Sequence, residues 1–448
     1  MPILIEYLLW GKDNKKSNVS VFADLRRNIM PLVTPEMTLS EVISTYPDTR
    51  SVFIANGLSV EQNNHIFMAA LTVESFMKLR SLNPEIFLKL LNETAESCSQ
   101  VKILYTDETP AVRTDFLGYV VCPFKHLFKE AFESTLNGHY EKTGEKLISF
   151  VPMGCGGPDP YEYIWDTENI DDLPDAIASL GFGAYWRKPF RERFLDTGLF
   201  KAVETKPYIE EFKTLKDPLG HYTVYSFSAY VMLIDHKKLG DLPVPQSWID
   251  LANPIYKDNI IVSGSEDEIN EVLLMHIYKD GGEEAVKSMA GNIKDTWHAS
   301  QMAKAAGSSM KEGAAIYVLA WFFADTCPNT DHISIIFPEE GALVSPMYMM
   351  VKAGKEEKMK VVTDFMTGSV MGGISSSAKF PSTCPDVPNV LPQGTKLKWF
   401  GWDFVREHDM KVFSDELNAR FAEYRREAGS ISKHSSHGKR KFQILVNK

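Results

Sequence analysis

Cysteine is scarce in this chain of 448 residues. Cys98, Cys122, Cys155, Cys327 and Cys384 include no CxxC pair, and five thiols cannot all pair within one chain. That excludes a zinc ribbon or a disulfide scaffold and suits a reducing compartment. No apolar run reaches the roughly 18 residues of a membrane span. The opening MPILIEYLLWGKDNKK has an apolar stretch of about a signal peptide's core length. However, no basic residue precedes it, Glu6 interrupts it, and no cleavage site or lipid-bearing cysteine follows. The sequence as it stands therefore reads as cytoplasmic; a true N-terminus lying further upstream would instead make the protein periplasmic or cell-surface. Positive charge is also short, with 48 Lys and Arg against 59 Asp and Glu. A net charge of −11 excludes a broad nucleic-acid surface. The exception is the tail 431–448, which holds Lys433, Lys439, Arg440, Lys441 and Lys448 without an acid and reads as a disordered basic tail. Catalytic signatures are absent too: no GxSxG, HExxH, Walker loop or GxGxxG at a strand–helix junction. The expectation is a protein that is not an enzyme and uses no cofactor.

What is present is ordered along the chain. Residues 1–33 form an extension without clear pattern, and 34–97 read as a small helical domain. Thr38 and Glu41 are spaced as a capping box, with Leu39, Val42, Ile43 and Tyr46 on one stripe, ended by Pro47. Gly57 is a plausible stop for the next helix. Further helices start at Thr72 and at Asn83, the latter with Pro84 first and a stripe of Ile86, Phe87, Leu90 and Leu91. From about residue 100 short apolar runs alternate with amphipathic helices. Strands are expected at 101–106, 146–153 and 175–180, with a helix near 123–137 bearing Phe124, Leu127, Phe128, Ala131 and Phe132 on one face. A basic helix follows 181–186. This order argues for a parallel sheet covered by helices. HYTVYSFSAYVMLID (221–235) is strand material long enough to pass between lobes. Helices near 266–280 and 282–291, strands near 314–320 and 332–337, a returning strand in 341–354 and a helix near 355–368 complete the pattern.

Four passages, PQSWIDLANPIYKDNI (245–260), GGEEAVKSMAGNI (281–293), KEGAAIYV (311–318) and FPEEGALVSPMYMMVKAG (337–354), resemble the solute-binding proteins of iron(III)-type ABC importers. The resemblance covers roughly residues 100–425. It implies an α/β, two-lobe type II periplasmic-binding-protein fold with an N-terminal all-α domain. Lobe 1 would hold 98–224 and 335–430, and lobe 2 would hold 225–334. It also implies capture of a small-molecule or ion ligand by hinge closure, an ABC permease as partner, and a monomer. TPEMTLSEVISTYPDTRSVFIANGL (34–58), with NPEIFLKLLNE (83–93), is similar to a small helical domain of unknown function found with redox proteins of anaerobes. That domain's cysteine pair is missing here, where Leu58 to Gln62 follow the glycine.

Such a fold places ligands against strand-end loops and helix starts. Thr106 ends the first expected strand. Gly154, Cys155, Gly156 and Gly157 follow the second, where glycines let backbone N–H groups cradle an anion; a plain tight turn explains them equally well. Gly181 and Phe182 follow the third strand, Phe182 as a pocket wall. Arg187, Lys188 and Arg191 beyond them suit a solvated basic helix. His298, Ser300 and Gln301 precede a helix that Ser300 could cap, with simple capping as the alternative. Ser226 and Phe227 lie at the lobe crossing. Ferric iron wants tyrosinate and carboxylate oxygens. The iron-binding members of the family often carry two adjacent tyrosines late in the chain, and the comparable stretch here has Tyr348 alone. An anion, a small organic acid or a metal complex fits the glycine turns better than bare iron. A cytosolic sensor and an enzyme on the same fold are the alternative readings.

Overall fold

Thr38 accepts a hydrogen bond from the Glu41 amide while Glu41 reaches back to the Thr38 N–H, so the first helix begins where the sequence pattern puts it. The computed structural model describes residues 33–46, 49–56, 58, 71–80, 82–102, 114–151, 159, 161–265 and 268–429. These fall into two compact units. The first contains α1 (Leu39–Thr45), α2 (Thr49–Ala55), α3 (Val73–Leu79) and α4 (Pro84–Lys102). Leu39, Val42, Phe53, Phe76, Phe87 and Leu91 close its core. On α4 the buried stripe is Phe87, Leu91 and Ala95, whereas Ile86 and Leu90 of the expected stripe face solvent. The helix also runs through residues expected to open a strand at 101–106. Residues 103–106 of that strand, Pro47, Gly57 and the basic tail lie outside the described residues.

The second unit begins at Pro110. Its elements are β1 (Phe116–Gly118), α5 (Lys125–Thr143), β2 (Ser149–Phe150), β3 (Ala176–Leu180), β4 (Phe200–Lys201), β5 (Thr223–Asp235) and β6 (Ile260–Ser263). Then come α6 (Glu271–Asn292), β7 (Ile293–Trp297), α7 (Ala299–Ala305), β8 (Ile316–Ala320), α8 (Trp321–Asp325), β9 (Ile333–Ile336) and β10 (Ala342–Lys352). The last elements among the described residues are α9 (Lys360–Thr367), α10 (Ser369–Ser377), β11 (Leu397–Lys398), α11 (Trp402–Glu407) and α12 (Met410–Glu427). The strands join one mixed sheet in the order β2-β1-β3-β10-β5-β8-β6-β7. β2, β1 and β3 are parallel, as are β7, β6 and β8, but β5 and β10 run antiparallel to each other, β10 to β3 and β5 to β8. The parallel pairing expected before residue 186 is found among β2, β1 and β3, and a second parallel set forms from β7, β6 and β8.

β5 spans 13 residues, about 40 Å of extended chain. Along β10, β3 is paired from Val351 up to Met347; along β5, β8 is paired from Tyr230 onward. The stretch between, Ser226–Tyr230 on β5 and Leu343–Met347 on β10, is the junction of two lobes. Lobe 1 is filled by Phe116, Phe124, Phe128, Phe132, Met349, Val362 and Phe365, each burial worth about 1.5–3 kcal/mol. α6 connects β6 to β7 in lobe 2. The two helices expected at 266–280 and 282–291 are both present within α6, separated at Gly282, whose non-helical φ of 67° suits glycine. α12, expected with lobe 1, packs on α6 instead: Asn418 accepts the Ile269 N–H, and Arg420 and Tyr424 hold Glu283. Lobe 1 still grips its start, through Lys188 N–H to Asp409 and the Arg191 guanidinium on the carbonyls of Val405, Arg406 and His408.

Candidate functional site

β3 stops at Leu180 because the next residue turns away. Gly181 has φ +63° and donates its N–H to the Pro346 carbonyl at 2.8 Å. A Cβ at Gly181 would fall 2.6 Å from Glu271 Oε1, so only glycine permits this approach. The Phe182 N–H then donates to that same oxygen at 2.7 Å. Glu271 is the first residue of α6, after the Asn270 cap. One hydrogen bond therefore links the strand end of lobe 1 to a helix start of lobe 2.

One face of β5 and β10 carries Ser228, Tyr230 and Ser345 between the apolar Leu343 and Met347. Side chains alternate along a strand, and the register pairs Ser228 with Ser345 and Tyr230 with Leu343. Ser345 Oγ lies 3.7 Å from the position a Gly181 Cβ would take. Tyr230 is hydrogen-bonded with Ser228 and Asn270, and burial pushes its phenol up to about 12. Burial likewise raises the Glu271 carboxyl above the usual carboxylate range, against the pull of the Phe182 N–H and of Lys411. The junction thus presents one carboxylate, one neutral phenol and two hydroxyls.

A second seam joins the lobes at α8. Lys379, in the left-handed conformation at φ 62°, places its ammonium 5.2 Å from the Trp321 ring centroid and 3.5 Å from Asp325. Phe322 stacks 6.1 Å from Phe380, which packs in turn on Phe124.

The sequence-derived candidates fare unevenly. Thr106, Gly154, Cys155, Gly156 and Gly157 lie outside the described residues. Gly181 sits at the junction. Phe182 contributes its backbone there, while its ring is fully buried against Trp186, Trp399 and Phe400 rather than walling a pocket. Ser226 is buried with its hydroxyl on the Pro381 carbonyl, and Phe227 packs edge-on against Phe212, so both are spent on structure. His298, not Ser300, caps α7: its Nδ1 accepts the Ser300 N–H at 3.2 Å and lies 2.7 Å from Ser300 Oγ. The His298 ring stands edge-on to Phe323 beside the second seam, and Gln301 is exposed. The basic helix expected after Trp186 is present over Lys188–Phe190 and, in π form, Arg191–Leu195, but Arg191 is buried rather than solvated, and Arg187 lies over Trp165. Tyr348 is sealed against Trp186 and Tyr222, and burial keeps its phenol protonated.

Sequence reasoning missed Glu271, Tyr230, Ser345 and Lys379. Asn270–Glu271 reads as an ordinary helix start, and nothing local distinguishes it. Among the described residues no cluster of three His, Cys, Asp or Glu could hold a metal ion, and no helix is long and apolar enough to cross a membrane.

A sequence profile of bacterial extracellular solute-binding proteins matches residues 171–408, just over half the chain. No curated protein matches it. Among solved structures, the apo ferric ion-binding protein A of Pasteurella haemolytica is similar at 13% identity and TM-score 0.50, covering 72% of this chain and 100% of that one. The ferric binding protein of Campylobacter jejuni has 18% identity, TM-score 0.49 and coverages of 70% and 99%. A Trichodesmium protein in complex with iron and citrate has 17% identity, TM-score 0.48 and coverages of 70% and 99%. The first likeness shows the shared two-lobed fold.

Proposed function

The chain belongs to the bacterial extracellular solute-binding protein family, and from that premise we propose that it captures a small polar solute at the lobe junction and delivers it to an ABC-type permease. The observation that carries this is the set of hydroxyls of Ser228, Tyr230 and Ser345 on one face of β5 and β10, beside a contact between the lobes through Phe182 and Glu271. The crossing contacts run through the two β-strands, the two seams, the α11–α12 arm and the 398–400 segment, where Phe400 stacks on His276 and Lys398 pairs with Asp280; hinge motion about Ser226–Tyr230 and Leu343–Met347 opens the junction. The protein binds its solute as a monomer, outside the cytoplasm as its family does, and leaves it chemically unchanged.

The anion, organic-acid and metal-complex classes drawn from the glycine turns meet one physical difficulty. The strand-end amide best placed to hold an oxyanion, that of Phe182, is already taken by a carboxylate. The test is native mass spectrometry of the protein as purified, followed by thermal unfolding after the released solute is returned. A bound small molecule that comes off intact and raises Tm with its concentration supports capture. Recovery of a chemically altered molecule would support catalysis instead.

A further inference from the structure

The geometry points to Glu271 as the residue that selects the solute, by pairing with an ammonium or guanidinium group held at the junction against Tyr230 and Ser345. This deepens the binding reading and rests on it.

A carboxylate drawn out of water needs a cation or several hydrogen bonds. Among the described residues Glu271 has the Phe182 amide as donor on Oε1 and no ion pair. The charges that act on it come from two places. Glu268 lies just before α6, and Lys411 and Asp415 lie on α12. Lys411 is itself ion-paired with Asp415, which Arg187 also approaches at 3.9 Å. Lys411 thus spends its ion pair on Asp415 rather than on Glu271, and Glu268 adds a negative charge. Tyr230 of β5 and Tyr348 of β10 feel the Glu271 charge but are neutral phenols.

The remaining groups on this face suit a nitrogen donor. The Ser228, Tyr230 and Ser345 hydroxyls offer acceptor lone pairs beside the carboxylate. An oxyanion in the same place would meet a carboxylate already holding the amide it needs, and like charges repel. Burial lifts the Glu271 carboxyl, and an incoming cation would favour its charged form.

Matched probes separate charge from shape: n-butylamine and agmatine against butyrate and succinate. The full chain, stripped of solute by partial unfolding and refolding, is followed by thermal unfolding and isothermal calorimetry. The expected result is a rise in Tm with an amine and none with its acid counterpart. Glu271→Gln, which keeps the shape and an acceptor for Phe182, weakens the amine roughly tenfold or more. Glu271→Asp, which keeps the charge, retains part of the binding. Three results overturn the assignment: acids stabilising as well as amines, amine binding that survives Glu271→Gln, or no amine raising Tm. If the native solute recovered by mass spectrometry is an anion, solute capture stands and this assignment alone fails.

Discussion

Lys379 offers a handle on lobe closure that needs no knowledge of the solute. Its ammonium makes two contacts across the second seam, one over the Trp321 ring and one with Asp325. An exposed cation–π contact contributes about 0.5–1 kcal/mol and an exposed ion pair about 0.2–1 kcal/mol. Since both use one flexible side chain, about 1 kcal/mol of the closed state is at stake, roughly fivefold in the equilibrium. The reporter is the Phe182 amide, whose hydrogen bond crosses the lobes and breaks when they part. In hydrogen exchange of the unliganded protein, Lys379→Ala should cut Phe182 protection roughly fivefold while the β3–β10 ladder at Met349–Val351 keeps its protection. Lys379→Gly removes the same contacts but relieves a left-handed backbone that costs a side-chain-bearing residue about 1–2 kcal/mol. It should lower Phe182 protection equally without lowering Tm. Unchanged Phe182 exchange, or an equal loss along β10, would refute the reasoning.

Asp175 is fully buried with Lys358 at 2.8 Å and Lys352 at 3.6 Å; Asp175→Ala leaves buried positive charge and should cost about 3–5 kcal/mol in denaturant unfolding. Gly181→Ala puts a Cβ against Glu271 Oε1 at a positive φ, so exchange should show the Phe182 amide losing protection before the rest of the sheet does. His276 lies stacked 3.8 Å from Phe400, and burial pushes its imidazole well below the ordinary value. Its folded state refuses a proton that the unfolded chain takes up near pH 6.5, so its contribution falls as pH drops below about 6.5 and levels off above. His276→Phe should therefore flatten the Tm–pH curve between about pH 5 and 6.5; equal slopes in both proteins would count against this.

Much of the architecture was legible because it follows from local rules. The Thr38–Glu41 box, Pro84 at the start of α4 and the long apolar run of β5 announce themselves by pattern alone. The exchange between lobes was legible from order: strand, crossing strand, helix, return. The site was less so, for a physical reason. A ring such as Phe182 looks the same in sequence whether it lines a cavity or meets Trp399 and Phe400 from over 200 residues away. Ser226 sits at the crossing as expected, yet its hydroxyl is claimed by a carbonyl of the 380–384 segment. His298 displaces Ser300 as cap because its ring nitrogen reaches the amide two residues on. Glu271 is an acidic residue in a first helical turn, a common preference, and only the approach of Gly181 from the other lobe gives it a special role. α12 could not be placed from its own stripe, since its partner α6 is fixed by tertiary packing.

The central claim, that two lobes close on a solute at the β5–β10 junction, is tested most directly by small-angle scattering on the stripped protein and on the same protein reloaded with the solute it carried. The account predicts a smaller radius of gyration on reloading, matched by stronger protection of the Phe182 amide. Saturating solute that leaves both unchanged would contradict it.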